Sequence, residues 1–162
     1  MGEVEKLGPA TLDQIRSWLG DSKATIQPVL DLNRCDAVDQ HDPPPWMREQ
    51  VILRDRHCVF PWCGRDARRS DLDHTIAYVP PDEGGPPGQT NPQNLAPLCR
   101  RHHRAKTFTG WHYERARDGT HEWTSPHGHT WAVGPDGTTS TTVTSAPAAD
   151  PKTRAAAYTL AT

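Results

Sequence analysis

Two pairs of metal-ligating residues, Cys58-x4-Cys63 and Cys99-x2-His102, frame a second group made of Asp73, His74, Asn94, His103 and Lys106. The outer set suits a tetrahedral zinc ion, which takes four S or N ligands in pairs that one tight turn can aim at a single point. With all four positions filled by protein, such a site would be structural. The competing reading is two buried thiols with incidental neighbours. The inner set suits hydrolysis of a phosphodiester. A carboxylate and an amide oxygen would hold a hard divalent ion and leave places for phosphate and water. A neutral histidine can take a proton from the attacking water near pH 7. Arg100, Arg101, Arg104 and Lys106 would contact a phosphate backbone.

These groups need elements to position them. Pro61 and Gly64 predict a tight knuckle at Cys58–Gly64. LDHTIA at 72–77 has strand character, and the Pro- and Gly-rich stretch 79–92 predicts a surface loop joining two halves of a hairpin. Residues Asn94 to Thr107 read as a helix beginning near Asn94 or Pro97. Asp73 and His74 point to opposite faces of a strand unless it bends, whereas His102 and His103 lie about 100° apart on a helix. Packing hairpin against helix is expected to gather Asp73, His74, Asn94 and His103 at one locus. Upstream, WMREQVILRD at 46–55 predicts a short helix with Met47, Val51 and Arg54 on one face. Leu12, Ile15, Trp18 and Leu19 have helical spacing, with Thr11 or Asp13 to cap and Gly20 to stop. TIQPVLDL at 25–32 reads as an edge strand. Three short strands are expected around Trp111–Tyr113, Glu122–Thr124 and Thr130–Ala132.

Composition narrows the class. The chain has 162 residues, 34% of them hydrophobic, with 16 Pro and 12 Gly, so one thin-cored domain plus tails is expected, and a metal is a usual remedy for so small a core. No run of about 18 apolar residues suggests a membrane span, and residues 1–9 lack the apolar stretch of a secretory signal. A cytoplasmic protein whose four cysteines bind metal rather than pair is the expectation. The net charge of −2 hides an asymmetry: residues 48–117 hold twelve Lys and Arg against eight Asp and Glu, a local +4. A basic centre between acidic flanks favours phosphate locally.

DLDHT at 71–75, NLAPLCRRHHRAK at 94–106 and CVFPWC at 58–63 together resemble the HNH endonucleases, in the actinobacterial branch whose nuclease module follows a helical domain. The likeness covers roughly residues 45–131, and what precedes it resembles the tail of that helical region, here mostly absent or supplied separately. It implies an α+β fold with a zinc-stabilised ββα-metal (His-Me finger) core, a flanking helix and short C-terminal strands. It implies His74 as general base, Asp73 and Asn94 as groups placing a catalytic ion (Mg²⁺, or Mn²⁺ or Ni²⁺), and His103 as a metal or phosphate contact. Lys106 would contact phosphate, and Cys58, Cys63, Cys99 and His102 would hold zinc. The implied substrate is DNA, expected to be double-stranded. His102 stands where many relatives have a cysteine, which zinc tolerates.

The expected organisation is therefore an N-terminal helix, strand and Pro-rich linker over 1–44, a nuclease domain over 45–133 and a disordered low-complexity tail over 134–162. Trp111, Trp123 and Trp131 are expected to pack a sheet rather than stack on bases. His121, His127 and His129 are expected at the surface, and Cys35 as a half-buried thiol. Arg65, Arg68 and Arg69 are divided between phosphate contacts and a solvated face. The competing functions are a zinc-dependent nucleic-acid-binding module that does not cleave, and a toxin-like nuclease that needs a protein partner.

Overall fold

A computed structural model describes residues 2–5, 7–20, 22, 23, 25, 32, 34–135 and 137–141. The chain divides into two units, Met1–Leu30 and Asp31–Thr162. In the first, strands β1 (Gly2–Val4) and β2 (Gly8–Ala10) form an antiparallel hairpin, followed by helix α1 (Leu12–Leu19). Thr11 caps α1 as expected: its hydroxyl accepts from the Gln14 N–H while the Gln14 side chain accepts from the Thr11 N–H, satisfying two of the helix's first donors. The apolar residues Leu12, Trp18 and Leu19 remain exposed. The strand expected at 25–32 falls almost wholly outside the described residues.

The second unit opens with helix α2 (Pro45–Asp55). Pro45 sits at the first helical position, where its missing N–H costs nothing and its fixed φ is already helical. Met47 and Val51 face inward with Leu95 as one core cluster, flanked by Val38, Trp46 and Leu72. Arg54, expected on that face, is indeed drawn in: its guanidinium meets Asp55 and the carbonyls of Pro92 and Leu95.

After the knuckle at 58–64 comes strand β3 (Asp71–His74), paired antiparallel with β4 (Leu95–Leu98). Helix α3 (Arg100–Phe108) follows directly and packs on both strands. The helix expected from Asn94 or Pro97 thus begins later, because 95–98 is a strand. Leu95, Ala96 and Leu98 are fully buried there, a satisfaction that a continued helix would not give all three. Pro97 is tolerated because its backbone faces away from β3: its carbonyl accepts from the Val59 N–H at 3.0 Å, and no ladder partner needs its missing donor.

The C-terminal part is a four-stranded antiparallel meander, β5 (His112–Arg115), β6 (His121–Thr124), β7 (Thr130–Gly134) and β8 (Gly137–Thr141). The expected three strands are present, and the fourth corrects the reading of everything past 134 as disordered. Thr and Ser there pair with β7 from Thr130↔Thr141 to Gly134↔Gly137, as β-branched residues at a sheet edge can. Residues 142–162 lie outside the described set. Trp123 is fully buried, and its indole N–H donates to the Val59 carbonyl at 2.7 Å. Trp111 and Trp131 stack at 5.2 Å over the same cluster. Packing is their role, as expected. His121 is not at the surface: it shares the inward face of β6 with Trp123, two residues on, and is 3% exposed. Burial pulls its pKa down to about 4. Among the described residues no helix is long and apolar enough to cross a membrane.

Candidate metal centre and hydrolytic site

The knuckle is closed by main-chain bonds: the Cys58 N–H donates to the Arg65 carbonyl at 2.7 Å and the Cys63 N–H to that of Phe60 at 3.0 Å. Trp62 takes a positive φ of 56° to complete the turn, with its N–H held by the Thr138 hydroxyl at 3.0 Å. Cys99 and His102 enter at the start of α3, where the chain turns from β4. The ligand atoms of Cys58, Cys63, Cys99 and His102 all lie within 4.8 Å of one another. His102 Nδ1 approaches Cys99 Sγ at 3.3 Å and Cys58 Sγ at 3.5 Å, so Nδ1 is the nitrogen turned to the thiols. The Phe60 ring stacks on this imidazole at 3.9 Å and fixes its plane. Burial, and the neighbouring thiols, hold Cys58 above the ordinary thiol range. Three sulfurs and one imidazole nitrogen converging in a half-dry site fit a tetrahedral soft or borderline cation, which would draw the thiolates down. The expected metal-ligand set is therefore assembled, as a cluster that can hold a structural metal such as zinc. Cys35, by contrast, is exposed.

The inner set splits across β3. Asp73 turns toward α3, where Oδ1 lies 3.2 Å from His103 Nε2 and Oδ2 lies 2.6 Å from Lys106 Nζ. The Tyr113 hydroxyl donates to the same Oδ2 at 3.0 Å from strand β5. Burial alone would raise the Asp73 pKa, but His103 and Lys106 outweigh it and leave the carboxylate below its usual range. His103 is raised, first by its bond to Asp73 and also by Asp71, whose Oδ2 lies 3.2 Å from the other ring nitrogen, Nδ1.

His74 faces the other way. Its Nε2 meets the Thr90 hydroxyl at 2.8 Å, while that hydroxyl donates to the His41 carbonyl at 3.2 Å. A hydroxyl that has spent its proton on a carbonyl offers only lone pairs, so Nε2 carries the hydrogen and Nδ1 the free lone pair. The His41 and Tyr78 rings stand 5.1 and 5.5 Å from His74. Burial first, then the nearby His41, pushes the His74 pKa down to about 4. It is a neutral base at any physiological pH.

Two of the expected site residues are engaged by other groups of the protein. Asn94 does not join Asp73: its side-chain oxygen accepts from the Ile76 N–H at 2.8 Å, and its amide nitrogen donates to the carbonyls of Ile76 at 3.1 Å and Gln89 at 2.9 Å. An amide with its oxygen on a main-chain donor braces the long loop; it is not turned to an ion. Lys106 is half-buried against Asp73, with its ammonium over the Tyr113 ring. Arg101 and Arg104 are exposed along α3, and Arg100 is exposed beside Asp71 at 3.2 Å. Arg68 is engaged by Glu49 through two hydrogen bonds, so it sits on a salt-bridged face.

The residues overlooked in the sequence are Asp71, Thr90, His41 and Tyr113. Asp71 had a signal: two positions from Asp73 on a strand, it shares that residue's face. Thr90, His41 and Tyr113 reach the site only through tertiary folding.

No family model matches the chain, and no solved structure does so either. The chain is 44% identical over 95 residues to the uncharacterized protein Rv3776 of Mycobacterium tuberculosis H37Rv, covering 58% of this chain and 17% of that one. It is 39% identical over 113 residues to the uncharacterized protein Rv2100 of the same strain, and equally to the uncharacterized protein MT2160 of strain CDC 1551, covering 69% of this chain and 19% of each. The chain thus spans less than a fifth of the length of these relatives.

Proposed function

We propose that this chain carries a metal-dependent endonuclease of the HNH type, with a ββα-metal core, that hydrolyses phosphodiester bonds of DNA. The observation that carries the reading is the division of labour on β3: Asp73 is offered to His103 on one face, and a neutral His74 is locked with its Nδ1 lone pair free on the other. Two donors about 2.0–2.2 Å from one ion at right angles stand roughly 3 Å apart, and Asp73 Oδ1 and His103 Nε2 stand 3.2 Å apart. An oxygen and an imidazole nitrogen fit Mn²⁺ or Ni²⁺, and Mg²⁺ with water and phosphate completing its shell. When bound, such an ion supplies charge neutralisation at the phosphate and at the departing oxygen.

The chain's own residues do the rest. His74 Nδ1 takes a proton from water as the water oxygen bonds to phosphorus and the bond to the 3′ oxygen breaks. Thr90 keeps the ring in the required tautomer. Lys106 and Tyr113 hold Asp73 ionised and oriented, while Arg101 and Arg104 offer exposed charge to the backbone.

One observation favours a second reading, a zinc-stabilised module that binds nucleic acid without cutting it. Asn94 is absent from the ion-holding set and Lys106 sits on Asp73, which leaves fewer ligands than the resemblance implies. Nicking of supercoiled plasmid by the native chain and by His74→Ala separates the two: metal-dependent nicking lost in the variant supports the nuclease, and absent nicking by zinc-loaded native protein supports the binding module.

A further inference from the structure

Trp62 is 69% exposed in the turn of the first knuckle, and its backbone takes a positive φ of 56°. That region suits glycine, which has no Cβ to crowd the chain, and is an outlier for a residue as bulky as tryptophan. We infer that Trp62 is a stacking platform for an unpaired nucleobase, so that the nucleic acid bound beside the metal cluster is single-stranded or frayed where it crosses the knuckle. The inference rests on the nucleic-acid reading of the proposed site and deepens it by naming the form of the substrate.

The fold gains little from this ring. Most of its surface lies in water, and Trp131 meets it only edge-on, with centroids 6.0 Å apart. The bond that pins the turn, from the Trp62 N–H to the Thr138 hydroxyl at 3.0 Å, uses main chain and would serve any residue but proline. Glycine would keep that bond and take the backbone geometry without crowding. Strain of this kind persists where the surroundings over-determine it, and it gathers at ligand clamps and binding sites.

The neighbours define the ligand. Cys63 and His102 place their ligand atoms within 4.8 Å of each other, so Trp62 and Arg101, each next in sequence to one of them, flank the same cluster. Arg65 follows on the knuckle, with its carbonyl fixed by the Cys58 N–H at 2.7 Å. Arg65, Arg101 and Arg104 are all exposed. Guanidinium groups beside a flat ring suit a polyanion with flat faces of its own: phosphate for the arginines, a base for the indole. A purely apolar partner would leave the arginines unmet. Inside a duplex both faces of every base are covered by neighbours, so a ring standing in solvent reaches one only where the strand is unpaired.

The test uses the full zinc-loaded chain without added Mg²⁺ or Mn²⁺. Affinity is read by fluorescence anisotropy of a labelled oligo-dT of about 15 nucleotides and of a blunt duplex of equal length. Trp62→Gly is expected to weaken oligo-dT binding about 5–150-fold, with duplex binding, zinc content and melting temperature close to native. Trp62→Phe should retain most of the oligo-dT affinity, whereas Trp62→Leu, apolar but without a π face, should not. That pair decides the matter even where the glycine variant is less stable. Native-like oligo-dT affinity in Trp62→Leu, an equal loss on duplex and single strand, or no oligo-dT binding by the native chain overturns the inference. So does a native dimer that Trp62→Gly dissociates in analytical ultracentrifugation, which would seat the ring on a second copy. Any of these results with plasmid nicking intact leaves the nuclease reading standing. Trp62-dependent oligo-dT binding without nicking supports the inference and favours the binding module.

Discussion

The Thr90 hydroxyl has one proton to give, and it gives it to the His41 carbonyl, so its contact with His74 decides which imidazole nitrogen can act as base. Thr90→Val keeps the shape and removes that contact. Losing one buried hydrogen bond of about 1–3 kcal/mol predicts a melting temperature lower by several degrees and, under the proposed nuclease reading, a roughly tenfold or greater fall in the single-turnover nicking rate measured well below that transition. An unaltered rate would remove Thr90 from the base's support. At this scale the sequence was informative about residue types and uneven about roles. The four sulfur and nitrogen ligands were legible because each pair is local, set by one turn. Asp73 and His74 were legible as residue types, but the expected gathering at one locus is not met: Asp73 faces His103 and His74 faces Thr90, on opposite sides of β3. The partners of Asn94 and Lys106 were not legible, because they are groups distant in sequence: Ile76 and Gln89 main chain for one, Asp73 for the other. Spacing carries no record of such pairings.

Between β3 and β4 the Pro- and Gly-rich loop is a built element that carries Thr90. The Gln89 amide clamps Val79 through both its oxygen and its nitrogen at 2.8 Å, Tyr78 donates to the Asp39 carbonyl at 2.7 Å, and Asp39 receives the Gly88 N–H at 2.8 Å. Gly85 is required by space: a Cβ there would lie 1.9 Å from the Val79 carbonyl oxygen. Gly85→Ala must therefore shift main chain, at a cost of about 1–3 kcal/mol. Thermal denaturation should show a fall of several degrees, roughly 4–8 °C per kcal/mol for a small domain, with nicking reduced as Thr90 moves. A native melting temperature would mean that the loop is not coupled to the fold. Turn residues made the loop's existence readable, yet not its stitching to 38–42. Helix α2 and the first three strands of the meander followed from periodicity, whereas β4 was read as helix. Its run NLAPL is too short and uniformly apolar to declare a period, and burial between α2 and α3 decided it.

For the whole molecule, the apolar fraction is small and the Cys₃His cluster lies against the core of Cys58, Val59, Ala96, Leu98, Tyr113 and Trp123. A structural zinc ion contributes about 10–16 kcal/mol of apparent binding energy, comparable with the entire stability of a typical domain, about 5–15 kcal/mol. Cys58→Ser, or exhaustive chelation, should therefore abolish metal content and the cooperative thermal transition together, read by atomic absorption and circular dichroism. A zinc-free variant that still melts cooperatively near the native temperature would contradict a structural site. The proposed nuclease activity can be tested directly on this chain. The deciding measurement is conversion of supercoiled plasmid to open circle by zinc-loaded protein, native and His74→Ala, with Mg²⁺, Mn²⁺, Ni²⁺ or chelator. Nicking by the native chain is expected to need added ion and to fall by about 10²–10⁴ in the variant. Native protein that is folded, zinc-loaded and inert with every ion, or a His74→Ala variant that nicks as well as the native chain, would contradict the proposed nuclease.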